Sequence, residues 1–132
     1  MKKILFCLLL VGALQSCSKS VTSNNLVNTK WVLAVWPGKT LPTTAKATLI
    51  FDSEGRIGGK SFCNGYGGNT SFENGGIKFS QIFGTKMYCE EVGDAENKFT
   101  EDLAAVNSAK IVAGNLQLLQ DGEVKMVFVK TD

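Results

Sequence analysis

The sequence predicts a β-rich domain, between all-β and α+β, of about seven to eight short strands and one helix. Three observations lead there. Apolar and polar residues alternate over short runs. Turn dipeptides such as Asn74-Gly75 and Asp121-Gly122 separate those runs. A single stretch, residues 90–109, repeats its apolar residues at helical spacing.

Residues 1–16 read as a secretory signal to be set apart from the fold. Lys2 and Lys3 form a positive start, and the apolar run Ile4 to Leu14 is too short to span a bilayer as a helix, which needs about 20 residues. Leu14, Ser16 and Cys17 resemble a lipobox, with cleavage between Ser16 and Cys17 and diacylglyceryl transfer to the Cys17 thiol. That resemblance implies a lipid-anchored envelope protein. Ser18, where Asp would signal retention at the inner membrane, favours the periplasmic face of the outer membrane. Two or more acyl chains anchor stably where one does not. Without Lys2 and Lys3 the chain has 12 basic against 12 acidic residues, so no cationic excess points to nucleic acid.

Residues 17–28, rich in Ser, Thr and Asn, read as a lipidated flexible tether of about 15–20 Å root-mean-square span, leaving 29–132 as the domain. In it, "WVLAVW" sets Trp31, Leu33 and Val35 on one side of a first strand that Pro37-Gly38 closes. "KATLIF" (46–51) is a second strand, and Asp52-Ser53-Glu54-Gly55 turns it into "RIGGKSF" (56–62). "NTSF" (69–72), the Asn74-Gly75 hairpin signal and "GIKFSQIF" (76–83) follow, then "TKMYC" (85–89). Val92, Ala95, Phe99, Leu103 and Val106 mark the helix, with Asp94 as its expected N-cap. Residues 110–130 give three strands joined at Gly114-Asn115 and Asp121-Gly122.

With Cys7 in the signal and Cys17 lipidated, two of the four cysteines remain, Cys63 and Cys89. An even pair in an exported domain implies a disulfide. Cys63 lies in GGKSFCNGYGG, residues 58–68, which nearly spells a P-loop. It is one residue short between the glycines of Gly55-Arg56-Ile57-Gly58-Gly59-Lys60-Ser61, and Phe62-Cys63-Asn64-Gly65 is a poor helix start. The absence of histidine excludes a Ser-His or Cys-His nucleophile, and two cysteines do not fill a tetrahedral metal site. No metal, cofactor or catalytic residue is therefore assigned. A soft copper site from Met87, Met126 and reduced cysteines competes with a plain core role for both methionines. Asp52-x-Glu54-Gly55 hints at a calcium loop, and a hairpin turn explains it as well.

Trp31-x-Leu33, "LIFDSEGRIGGKSFCNGYGG", "TKMYC", Glu96-x-x-Phe99-x-x-x-Leu103 and the strand pair with Leu116, Leu118 and Phe128 together resemble the META domain of HslJ-like lipoproteins. Phe62 stands where that family usually has Gly, and Tyr88 where it has a small residue. The resemblance implies a curved antiparallel sheet or partly open barrel with one helix packed on it, heat- and stress-linked expression in the envelope, no catalytic residues, and likeness to the lipid-binding pilots of secretins.

Three functional expectations follow. The first is a non-enzymatic, stress-related factor that binds an envelope protein or an acyl chain. Its apolar groove would lie between sheet and helix, unless those side chains simply fill the core. The second is an inhibitor of a periplasmic hydrolase such as lysozyme, acting through an exposed rigid loop at residues 64–70, with Asn64 and Tyr66 as loop contacts. The third is a thiol or metal redox role for Cys63 and Cys89.

Overall fold

The structure, a computed structural model, describes residues 17–132. The signal segment, Ser16 and the expected cleavage site lie outside the described residues.

Nine strands form one antiparallel sheet: β1 (Ser18–Ser20), β2 (Thr29–Val35), β3 (Thr48–Phe51), β4 (Arg56–Ser61), β5 (Asn64–Glu73), β6 (Gly76–Gly84), β7 (Ser108–Val112), β8 (Asn115–Gln120) and β9 (Glu123–Thr131). Their order is β1-β7-β8-β9-β2-β3-β4-β5-β6. The sheet curves without closing. Between β6 and β7 the Ile77 N–H donates to the Asn107 carbonyl at 3.4 Å, and no ladder continues from there. One turn of helix, α1 (Ser23–Leu26), precedes β2, and a 3₁₀ turn (Glu90–Val92) leads into α2 (Ala95–Ala105). The expected curved sheet with one packed helix is therefore what the chain forms.

Helix α2 is 11 residues long, short enough to be marginal on its own. Its stability comes from the face it buries. Phe99, Leu103 and Val106 share one buried core with the strand residues Trp31, Leu49, Leu118 and Phe128. Phe99 is the hub, with ring centroids 5.5 Å from Tyr66, 5.9 Å from Phe62 and 6.5 Å from Phe128. Each fully buried side chain of this size contributes about 1.5–3 kcal/mol. The space between sheet and helix is thus filled by core side chains, the plainer of the two readings of that region. Asp94 holds the N-cap position, but its side chain makes no capping bond.

Several expectations are corrected. Residues 18–28 are not a free tether: β1 pairs with β7, Ser18 opposite Val112 and Ser20 opposite Lys110. Val21 and Leu26 are buried in the core. Asn25 locks the turn between them: its Oδ1 accepts from the Thr22 N–H at 2.9 Å, and its Nδ2 donates to the Ser20 carbonyl at 3.1 Å. In β2 the alternation slips at a bulge between Leu33 and Val35, so Val35 faces solvent and Trp36 turns inward. The turn after β7 is Ala113-Gly114, both at positive φ, one residue earlier than expected. Met126 is core, whereas Met87 is exposed.

Antiparallel alternation gathers the strand ends at two rims. One rim carries Cys17, the turns at 52–55 and 113–114, and the C-terminus. The other carries the Phe62-Cys63 turn, the segment after β6 and the turn at 121–122.

Candidate functional site

The second rim holds the candidate site, and glycines shape the chain there. At Gly59, φ is +147°, and a Cβ would strike the Thr48 backbone carbonyl, so β4 can cross β3 this closely only at a glycine. Phe62 follows at φ +76°, a conformation that favours glycine. Trp36 stacks on its ring at 5.8 Å, and the edge-on contact with Phe99 holds it from the other side. This aromatic clamp holds Phe62 in that backbone conformation.

The Cys63–Cys89 disulfide is formed, with Cα atoms 6.4 Å apart. It ties the β4–β5 turn to the end of the extended segment Thr85–Cys89. Cys17 is a free, exposed thiol at the opposite rim.

A partly buried polar knot fastens the same elements to α2. Glu96, in the first helical turn, is half-buried and reaches back to the β4–β5 turn. Its Oε1 accepts from the Asn64 N–H at 2.5 Å, the Cys63 N–H at 3.1 Å and the Ser61 hydroxyl at 3.2 Å, while Oε2 accepts from Asn64 Nδ2 at 2.7 Å. Asn64 completes the knot. Its Nδ2 also donates to the Met87 carbonyl at 2.9 Å, and its Oδ1 accepts from the Met87 N–H at 2.8 Å and the Thr85 hydroxyl at 2.9 Å. These bonds order the backbone of the turn and of residues 85–87, and the same side chains form the polar floor of the cleft beside them.

Asn64 and Tyr66 are therefore not exposed loop contacts. Residues 64–70 belong to β5, and both side chains are buried. Tyr66 donates its hydroxyl to the Thr48 carbonyl at 2.7 Å, and burial pushes its phenol well above the usual range.

What the knot presents is a cleft of about 590 Å³ between the end of β6, the segment 85–88 and α2. Its outer wall is apolar and unusually exposed: Phe83 at 71%, Met87 at 61% and Tyr88 at 89% of their full accessibility. The tip of the Phe83 ring sits over Gly67, where a Cβ would come within 2.8 Å of its Cζ, so that glycine seats the aromatic at the surface. Sequence reasoning missed this rim because Phe83 and Met87 sit in runs that read as core. Tyr88, a departure from the resemblance, was the available signal.

The remaining candidates are accounted for locally. The Asp52 carboxylate accepts from the backbone N–H groups of Arg56 and Glu54 and from Arg56 Nε. The Arg56 backbone bond, followed by its guanidinium, holds Asp52 below the usual carboxylate range. Asp102 accepts from Trp36 Nε1 at 2.8 Å and pairs with Lys39. Among the described residues, no three His, Cys, Asp or Glu side chains gather in a metal-binding group.

A family model, META domain, matches residues 24–132. The chain belongs to the META domain family. Its matched region begins within α1, in keeping with the packing of Leu26 into the core. A META domain of this kind is also similar to solved structures. One is a protein from Burkholderia xenovorans, 25% identical, with TM-score 0.71 over 83% of this chain and 86% of that one. Another is a DUF4847 family protein from Bacteroides vulgatus, 15% identical, with TM-score 0.61 over 83% and 99%. The second likeness shows the fold alone. No curated protein matches the sequence.

Proposed function

We propose that this META domain is a non-enzymatic, lipid-anchored protein of the cell envelope that binds a protein partner through the Phe83–Met87–Tyr88 rim. The rim carries the reading. Aromatic and methionine side chains are enriched at the centres of protein interfaces, and three of them projecting together is costly in water unless covered. An acyl chain fits less well. It needs an enclosed apolar cavity, and the space between sheet and helix is occupied by Phe99 and its neighbours. The anchor rests on the signal-like residues 1–16, on Leu14, Ser16 and Cys17, and on the exposure of Cys17. The stress-related, HslJ-like role and the outer-membrane address rest on the family resemblance and on Ser18.

The inhibitor reading keeps one support. The segment Thr85–Cys89 is extended, fixed at one end by the disulfide and at the other by Asn64, and tipped by Tyr88. That is a rigid projecting loop, though not the one at residues 64–70. A redox role would require the disulfide to open, which would also release this loop.

The test is a photo-crosslinking residue in place of Tyr88, in cells, with the mature protein then isolated and weighed. Acyl mass on Cys17 and a discrete protein adduct from position 88 support the reading. An unmodified Cys17 contradicts the anchor, and absence of an adduct contradicts the binding rim.

A further inference from the structure

The docked N-terminal segment has a consequence for how the domain meets the membrane. A free tether of residues 17–28 would let the domain wander over about 15–20 Å. Here, instead, Ser18 is already paired with Val112, Lys19 with Ile111 and Ser20 with Lys110. Val21 and Leu26 are sunk in the core behind them. Cys17 is one residue from the first pair, about 3.8 Å along the chain, and stands beside the Ala113-Gly114 turn. Cys17 therefore belongs to one rim of the sheet. The disulfide, the polar knot and the Phe83–Met87–Tyr88 cleft belong to the other.

From this juxtaposition we propose that the surface around the β7–β8 turn is a membrane-contacting face. The domain stands on the phospholipid bilayer by this rim and presents the cleft away from it. Acyl chains on Cys17 must begin at the hydrocarbon boundary, so the turn beside Cys17 lies in the headgroup layer, roughly 5–7 Å deep. Strands of six to nine residues, such as β8 and β9, rise about 20–30 Å from there to the opposite rim. The segment thus acts as a clamp that sets orientation and height, where a loose tether would set neither. The proposal rests on the lipid anchor of the preceding reading and adds the face the anchor imposes.

The experiment uses the full lipoprotein, purified from membranes and reconstituted into phosphatidylethanolamine–phosphatidylglycerol vesicles containing a headgroup-nitroxide lipid. A fluorophore is placed at Ala113→Cys in one variant and at Asp121→Cys, in the turn of the opposite rim, in another. The acyl content of Cys17 is measured by mass on the same samples. Quenching several-fold stronger at 113 than at 121 is the expected result. Equal quenching at both positions in acylated, vesicle-bound protein overturns the orientation and leaves the anchor standing. Absence of acyl mass on Cys17 overturns the anchor and the orientation with it.

Discussion

Glu96 illustrates how one residue can organise a site without acting on a ligand. It gathers four donors from a turn distant in sequence, so Glu96→Ala strands buried N–H groups of Cys63 and Asn64. We expect a loss of about 3 kcal/mol in urea unfolding, with Asn64→Ala similarly costly. Tyr66 gives a pH signature. Its folded-state pKa is raised, so its contribution is fully present below about pH 10, where the unfolded chain also keeps the phenolic proton. Above that, the unfolded chain ionises and the folded one does not, so stability falls as pH rises. Denaturant midpoints measured across alkaline pH should show this fall in the parent, and Tyr66→Phe should reduce it. The sequence displayed Glu96 only as part of a family pattern, and nothing local tells a helix-surface glutamate from one that reaches across to a hairpin. Phe62 was flagged in the sequence only as a departure from the resemblance, and the Trp36 ring that packs on it comes from a different strand end.

Among the elements, the hairpins could be read because Asn74-Gly75 and Asp121-Gly122 state their turn chemistry locally, and α2 because its apolar spacing is unbroken. The bulge in β2 could not. Its register depends on β9 across the ladder, and the swap of Val35 for Trp36 follows from that pairing. Segment 18–28 was misread for a related reason. Only Val21, Leu26 and Val27 are apolar in it, and their partners lie far along the chain. Its docking makes a direct prediction: Leu26→Ala lowers stability by about 2–4 kcal/mol, a loss a free tether would not show, as thermal unfolding will report. The Cys63–Cys89 staple closes a separation of 26 residues. Replacing both cysteines with alanine should cost about 3.5 kcal/mol in the chain-entropy model and increase protease cutting within 85–89, read by limited proteolysis.

For the whole molecule, the division between the two rims matters most. Composition holds no histidine, and the residue pattern placed the chain among β-rich domains. Neither could place Phe83, Met87 and Tyr88 around one cleft at the surface, because that depends on the β5–β6 register shift at Gly67–Asn69, the disulfide and the Asn64 knot acting together. Two kinds of residue separate here: the knot holds the fold, and the rim is where the proposed partner would bind. The measurement that tests this most directly is the yield of the partner adduct from position 88 in a Phe83→Ser/Met87→Ser variant whose melting temperature matches the parent. Loss of the adduct at unchanged stability is the predicted result. An undiminished adduct would contradict the assignment of binding to the exposed rim.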